Sequence, residues 1–352
     1  MSKWDNYTIR VAVTGVGGEC GQAILKALLV SKLPVEVYPV DITPLAAGLH
    51  TGMGGMVLPC PEQSLEMWRK WCINMRINAV IPGSDHDITP LAAVREEWQK
   101  DWQIKLLVNP LFAVEVSNDK WLTAKELRAC DVDVPLTLDS ADVAAFLADF
   151  PHDSFMARKM VIKPRFGMAS RGVQVIDPND GDAAGFYWKR TENPILQEYV
   201  NGDEFTCGLF FDAQSCLRAC FVMRRWLKNG STHVAEAGDF PDVVQFCHEF
   251  AEKTREKFKW QGAVNVQLRQ HPAHGCVVFE INARCSGSTA IRAAFGYNEP
   301  EMLIRQFVMG EQVEQPTTTK GVALRRMEYS VLDNIAHDTL LKTTRGTKGR
   351  RV

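Results

Sequence analysis

The sequence predicts an α/β protein, in which an N-terminal doubly wound parallel-sheet domain precedes an α+β region built on hairpins. Three observations predict it. Residues 9–41 read as strand, glycine loop, helix and strand; residues 160–176 read as two strands around a glycine-rich loop; residues 262–284 read as a hairpin with one polar face. The 352 residues, 46% hydrophobic and 23% charged, are those of a globular chain and exclude a disordered, collagenous or coiled-coil protein. A net charge of −2 gives no electrostatic footprint for nucleic acid or an anionic membrane. The first residues lack the apolar core of a secretory signal, and no apolar run approaches the ~18 residues of a membrane span. A cytoplasmic location is the expectation, with the ten cysteines reduced and packed as small hydrophobes. Their spacings do not suit zinc, and His271 and His274 sit beside Pro272 and Gly275 in a turn.

The first strand is Ile9–Val13. The loop from Thr14 to Gly21 and a helix with Ala23, Ile24, Ala27 and Leu28 on one face follow. A second strand, Val35–Val40, ends at Asp41. This order opens a doubly wound domain. Gly15 and Gly17 match a dinucleotide loop, but Cys20 stands where its last glycine belongs, so a tight turn, with no cofactor or touching a small substrate, is preferred to nicotinamide binding. Residues 78–87 form a further strand and a loop carrying Gly83, Ser84, Asp85 and Asp87, which either cap the next helix or face a ligand. A last strand, Ile104–Val108, ends at Asn109-Pro110, the first domain boundary.

A helix, Leu122–Cys130, begins the second part. Strands Met160–Ile162 and Val173–Ile176 flank a loop with Gly167, Ala169, Ser170 and Gly172. Its small residues let backbone N–H groups approach an anion, with Lys163 as a point charge at the strand end. Strands Ile195–Val200 and Glu204–Phe211 follow around an Asn201-Gly202 turn.

In the last hairpin, a four-residue turn from Pro272 to Gly275 pairs Gln267 with Glu280 and Asn265 with Asn282. Period-2 alternation then puts these four on one face and Val264, Val266, Phe279 and Ile281 on the other. One carboxylate and amide oxygens are hard ligands that suit Mg²⁺, but they are too few to cage it, so the ion would be shared with phosphates. Arg284 and the helix start at Ser286–Thr289 add an anion site beside them.

The order of lysine strand, glycine loop, Gln197-Glu198-Tyr199 hinge, Glu204, and then Gln267 with Glu280-Ile-Asn-Ala-Arg284 resembles the ATP-grasp superfamily over residues 8–310. It is most similar to the synthetase modules of the carbamoyl-phosphate synthase large subunit and to small carboxylate–amine ligases. The resemblance implies a pre-ATP-grasp domain (1–110), a small subdomain (111–195) in which the loop Arg165 to Gly172 covers the phosphates as a mobile flap, a large subdomain with the Mg/ATP site (196–330) and a tail (331–352). It implies that Lys120, Lys163, Arg165, Gly167, Ser170 and Gly172 meet ATP phosphates, that Gln197, Glu198, Tyr199 and Val200 take adenine, and that Glu204 holds the ribose. Gln267, Glu280 and Asn282 would bind Mg²⁺ as two ions, with Mn²⁺ able to substitute. Arg284 and Lys163 would be catalytic. Ser84, Asp85, Arg224, His233, Ser286 and Ser288 are the candidate substrate residues. Thr206-Cys-Gly208 departs from the acid many relatives carry there. The implied activity is amide or peptide-like bond formation through an acyl phosphate, with small-molecule carboxylate and amine partners, no nucleic acid and no membrane, and a homodimer left open. The alternatives are a non-catalytic ATP sensor, or a carbamoyl-phosphate-synthase-like or biotin-carboxylase-like kinase of a small carboxylate or bicarbonate.

Overall fold

The structure is a computed structural model that describes residues 8–51, 55–143, 159–167, 171–177, 179–180, 183–326 and 328. Ser170 and the tail 331–352 lie outside the described residues.

The first sheet has five parallel strands: β1 (Ile9–Val13), β2 (Val35–Asp41), β3 (Met56–Val57), β4 (Ala79–Ile81) and β5 (Lys105–Leu106). Their order is β3-β2-β1-β4-β5, so the winding reverses at β1. Ligand crevices in open α/β sheets lie at the carboxyl ends of the strands at such a reversal. The loops that leave β1 and β4 meet there. Gly15 has φ +61°, and a Cβ on it would come within 2.7 Å of the Ser84 Cβ; Gly21 packs directly on the Gly15 carbonyl. Packing of loop on loop therefore accounts for these glycines. The Asp41 carboxylate turns back to accept from the backbone N–H of Gly17 (2.8 Å) and Thr43 (3.1 Å).

A four-stranded antiparallel sheet follows, made of β6 (Thr137–Leu138), β7 (Met160–Pro164), β8 (Gln174–Ile176) and β9 (Pro194–Glu198), in the order β6-β9-β7-β8. The helix before it starts at Lys120 rather than Leu122, because the Asp119 carboxylate caps it by accepting from Trp121 and Leu122 N–H.

The third sheet has six antiparallel strands: β10 (Asp203–Phe211), β11 (Leu217–Lys228), β12 (Ser231–Ala237), β13 (Gly262–His271), β14 (Gly275–Asn282) and β15 (Gly321–Leu324). Their order is β14-β13-β10-β11-β12-β15. Strands β11 and β12 and the helix Pro241–Phe258 have no counterpart in the sequence assignment. That helix covers one sheet face, where Phe205, Cys207, Leu209, Val264, Val266 and Leu268 are buried with Cys247 and Phe250. The other face is divided: Phe210, Phe221, Met223 and Ala263 are buried in a second apolar cluster, and the part that carries Gln267, Glu280 and Asn282 is polar.

The 13/14 hairpin corrects the expected turn. His271 pairs with Gly275, not Cys276, and a β-bulge at Phe279 then restores the register, so that Gln267 still faces Glu280 and Asn265 still faces Asn282. The extra residue of a bulge breaks alternation locally. Phe279 therefore joins Glu280 on the cavity side instead of the core. All ten cysteines are free, six of them buried. No described helix is long and apolar enough to cross a membrane.

Candidate active site

Two cavities meet on the polar face. The smaller, about 190 Å³, lies between the four-stranded and six-stranded sheets. It gathers Lys120, Lys163, Gly167, Glu198, Tyr199, Val200 and Glu204, and Gln197 also borders it. The larger, about 1110 Å³, runs from there to the glycine loop and the Ser84–Asp87 loop of the first domain. Arg171, Arg225, Gln267 and Glu280 line both.

Lys163 is 5% exposed, and its Nζ donates to the Gln197 side-chain oxygen at 2.7 Å. Gln197 in turn donates to Thr137 Oγ1 at 2.9 Å. Burial lowers the Lys163 pKa to about 8 against the pull of Glu280, with Lys120 adding to the drop. Lys120 is also lowered, by burial first. Its Nζ donates to the Gly167 carbonyl at 2.6 Å, tying the base of the glycine loop to a helix start. Two cations that line one cavity, both with depressed pKa values, form a site that a polyanion would relax.

Glu204 is clamped by two arginines, with Arg225 on one carboxylate oxygen (2.8 Å) and Arg269 on the other (2.8 Å). Arg269 also reaches Tyr199 Oη (3.0 Å) and the Val200 carbonyl (3.2 Å), joining the hinge to the sheet. At the junction, Gln267 Nε2 and Asn282 Nδ2 both donate to Glu280 Oε1, at 3.2 and 3.1 Å. Their amide oxygens accept from Arg225 and Arg284 instead. The cluster holds a single carboxylate, and no group of three or more His, Cys, Asp or Glu side chains among the described residues could bind a metal alone. A rotation of either amide by 180° would present its oxygen beside Glu280. The donor set thus fits Mg²⁺ only if phosphate or water supplies most of its ligands.

Arg284 is held by the first domain. Its guanidinium grips both oxygens of Asp85, with Nη2 to Oδ2 at 3.0 Å, and lies 3.4 Å from Cys20 Sγ. Burial opposes its charge, but Cys20, Asp85 and Glu280 raise its pKa above the arginine range. Asp85 is itself lowered, because Arg284 outweighs burial. Ser84 serves as cap and cleft wall at once, accepting from His86 N–H at 3.3 Å. Ser286 accepts from the fully buried Arg292 at 2.8 Å, and Ser288 lies 3.1 Å from Thr232 Oγ1. Arg292 pairs with the equally buried Glu299 and also holds the Asn265 oxygen at 3.0 Å.

Four expected site residues do not reach the cavities. Arg165 is bound twice over by Asp119 and stacks on Trp121, because its strand-end position turns it toward the helix cap. Gly172, at φ +71°, turns against Pro164. Arg224 and His233 point away by alternation: Arg224 pairs with Asp203 and Glu236, and His233 is solvent-exposed. The adjacent Arg225 takes the cleft-facing position. Arg269 was missed as well, although it stands two residues from Gln267 on one strand and shares its face.

Residues 190–330 match a family described as "ATP-grasp in the biosynthetic pathway with Ter operon". No curated protein matches the sequence. Among solved structures, the chain is similar to N5-carboxyaminoimidazole synthetase from Staphylococcus aureus complexed with ADP, at TM-score 0.71 and 14% identity, over 96% of this chain and 86% of that one. It is similar to the biotin carboxylase domain of Hydrogenobacter thermophilus 2-oxoglutarate carboxylase with MgADP and bicarbonate (0.65, 11%, 89% and 73%). It is also similar to L-amino acid ligase from Bacillus licheniformis (0.65, 15%, 87% and 75%). At these identities the likeness establishes a shared fold.

Proposed function

We propose that this member of the ATP-grasp superfamily is an ATP-dependent carboxylate–amine ligase that makes an amide or peptide-like bond through an acyl phosphate. The observation that carries the proposal is the meeting of two cavities of different charge at Glu280. In the smaller one, Lys120 and Lys163 would neutralise the phosphates of ATP, and Glu198 to Val200 would border adenine. Glu204, held rigid by Arg225 and Arg269, would take the ribose. Glu280, Gln267 and Asn282 would hold Mg²⁺ as two ions, replaceable by Mn²⁺. When bound, the metal offsets charge on the phosphate oxygens. A substrate carboxylate in the larger cleft attacks the γ-phosphorus and ADP leaves; the amine then attacks the acyl carbon and phosphate leaves. Arg284, fixed by Asp85, would offset charge on the transferred group, so the chain works by positioning and electrostatics.

The amine is favoured by the wall that the first domain contributes. It carries Glu19, Asp41, Glu62, Asp85 and Asp87; Arg325 and Arg284 pair with Glu19 and Asp85, which leaves Asp41 and Glu62 without an ion-pair partner among the described residues. Such a wall attracts an ammonium group and repels a phosphorylated acceptor. An ADP-release screen tests the proposal against amino acids, dipeptides and other amines, each with and without a carboxylate co-substrate. Release that needs both supports the ligase. Tight ATP binding without turnover would make the chain a sensor, and release driven by bicarbonate alone would make it biotin-carboxylase-like. The partners proposed are small molecules; sedimentation of the full chain decides whether it forms a homodimer.

A further inference from the structure

Behind the cleft a separate cavity of about 210 Å³ opens between the helix Asp85–Trp102, strand β5 and the end of the large sheet. It shares no lining residue with the two cavities already described. Two cations face it from different elements, Arg95 on the helix and Lys105 on β5. Neither has an ion-pair partner within 4.0 Å among the described residues; the one carboxylate on the rim, Glu96, is solvent-exposed and raises the Arg95 pKa through space without outweighing burial. Arg95 spends its hydrogen bonds on neutral acceptors, the Val108 carbonyl at 2.9 Å and the Gln261 side-chain oxygen. Neutral acceptors satisfy the N–H groups but cancel no charge. Lys105 sits below its ordinary pKa through burial and then through Arg95. Gln99 adds a buried side-chain oxygen with no partner, and turning the amide over would present its NH₂ instead. The remaining wall is apolar, with Leu107, Leu303 and Phe307.

We propose that this cavity is a second ligand site, for a small organic carboxylate on a short apolar body. The carboxylate supplies the counter-charge that Arg95 and Lys105 lack and an acceptor for Gln99. The body covers the apolar wall, which a bare inorganic anion would leave wet. The helix that carries Arg95 begins at Asp85, the partner of Arg284, and ten residues at ~1.5 Å each separate the two ends of that link.

Calorimetric titration of the full chain with butyrate, with inorganic phosphate and chloride as controls, tests this. The expected result is saturable butyrate binding in the wild type and in Glu280→Ala, at least about tenfold weaker in Lys105→Ala and restored in Lys105→Arg, with melting temperatures checked for each variant. Unchanged binding in Lys105→Ala overturns the site. Loss of binding in Glu280→Ala assigns the heat to the cleft and overturns it too. Phosphate binding more tightly than butyrate overturns the apolar-body assignment.

Discussion

The two cavities that meet at Glu280 differ in the sign of their walls. The smaller one presents Lys120, Lys163, Arg171, Arg225 and Arg269, with only Glu198, Glu204 and Glu280 against them. The larger one borrows its far wall from the first domain, whose own charged lining residues are acids, with Arg284 and Arg325 reaching in from elsewhere to pair with Asp85 and Glu19. The acids are nevertheless held in place. Asp41 accepts from two backbone N–H groups, Asp87 accepts from Thr14 Oγ1 at 2.5 Å, and Asp85 grips Arg284. Burial raises the Asp87 pKa against these contacts, so its proton is kept to higher pH than an ordinary carboxyl's. The contrast is the one that the proposed reaction needs, an anionic nucleotide entering from one side and a cationic acceptor from the other, with the groups proposed for phosphoryl transfer on the seam.

The sharpest break of that contrast is at the seam itself. Glu280 is the carboxylate that both cavities share. Glu280→Ala is expected to drop substrate-stimulated ADP release to background while the melting temperature stays close to wild type; near-normal turnover would remove the metal from the proposal.

Next in size is a pH effect on the cationic side. Lys163 loses its proton at about 8 in the folded chain instead of 10.5. ATP affinity should therefore fall above pH 8, by up to about tenfold per pH unit if the ammonium is essential. Stability has the opposite sign. Between pH 8 and 10.5 the unfolded chain holds the extra proton, so this residue's contribution makes the fold more stable as pH rises; below pH 8 both states are protonated and the cost of the buried charge is complete. Lys163→Met should bind ATP weakly, with a flatter pH dependence than the wild type, and lose this residue's part of the stability slope. ATP binding that is flat with pH in the wild type argues against contact between Lys163 and the phosphates.

The smallest effects belong to the acidic wall. Glu62→Gln and Asp41→Asn should each raise the KM for an amine a few-fold and leave the KM for ATP alone, as expected for a charge that attracts rather than bonds. Arg224→Ala and His233→Ala, both directed away from the cleft, should change neither. An amine KM that ignores the wall charge would leave the proposed acceptor class without support.

Much of the site was legible because strands alternate. Gln267, Glu280 and Asn282 could be put on one face from spacing alone, and the structure gathers them there with Asn265, although by a shorter turn and a compensating bulge that no pattern signals. The same rule fails one residue at a time. Arg224 and Arg225 are neighbours of identical type, and only the pairing of Phe205 with Arg224 decides which of them faces the cleft. Arg165 illustrates another limit, since a loop arginine goes to whichever acid is nearest, and Asp119 is brought there by the cap of a helix 46 residues away in sequence.

The chain's own order determined the parallel sheet with its turn-bound glycines, the long hairpin and the oxygen-rich face, because these follow from local periodicity and from residues a few positions apart. Tertiary structure alone decided that Asp85 would hold Arg284 across 199 residues, that Glu204 would lie between two arginines, and that an acid-lined wall would face a cationic one. Charges meet in space by the docking of one sheet on another, and the strength of each pair depends on the burial that docking creates.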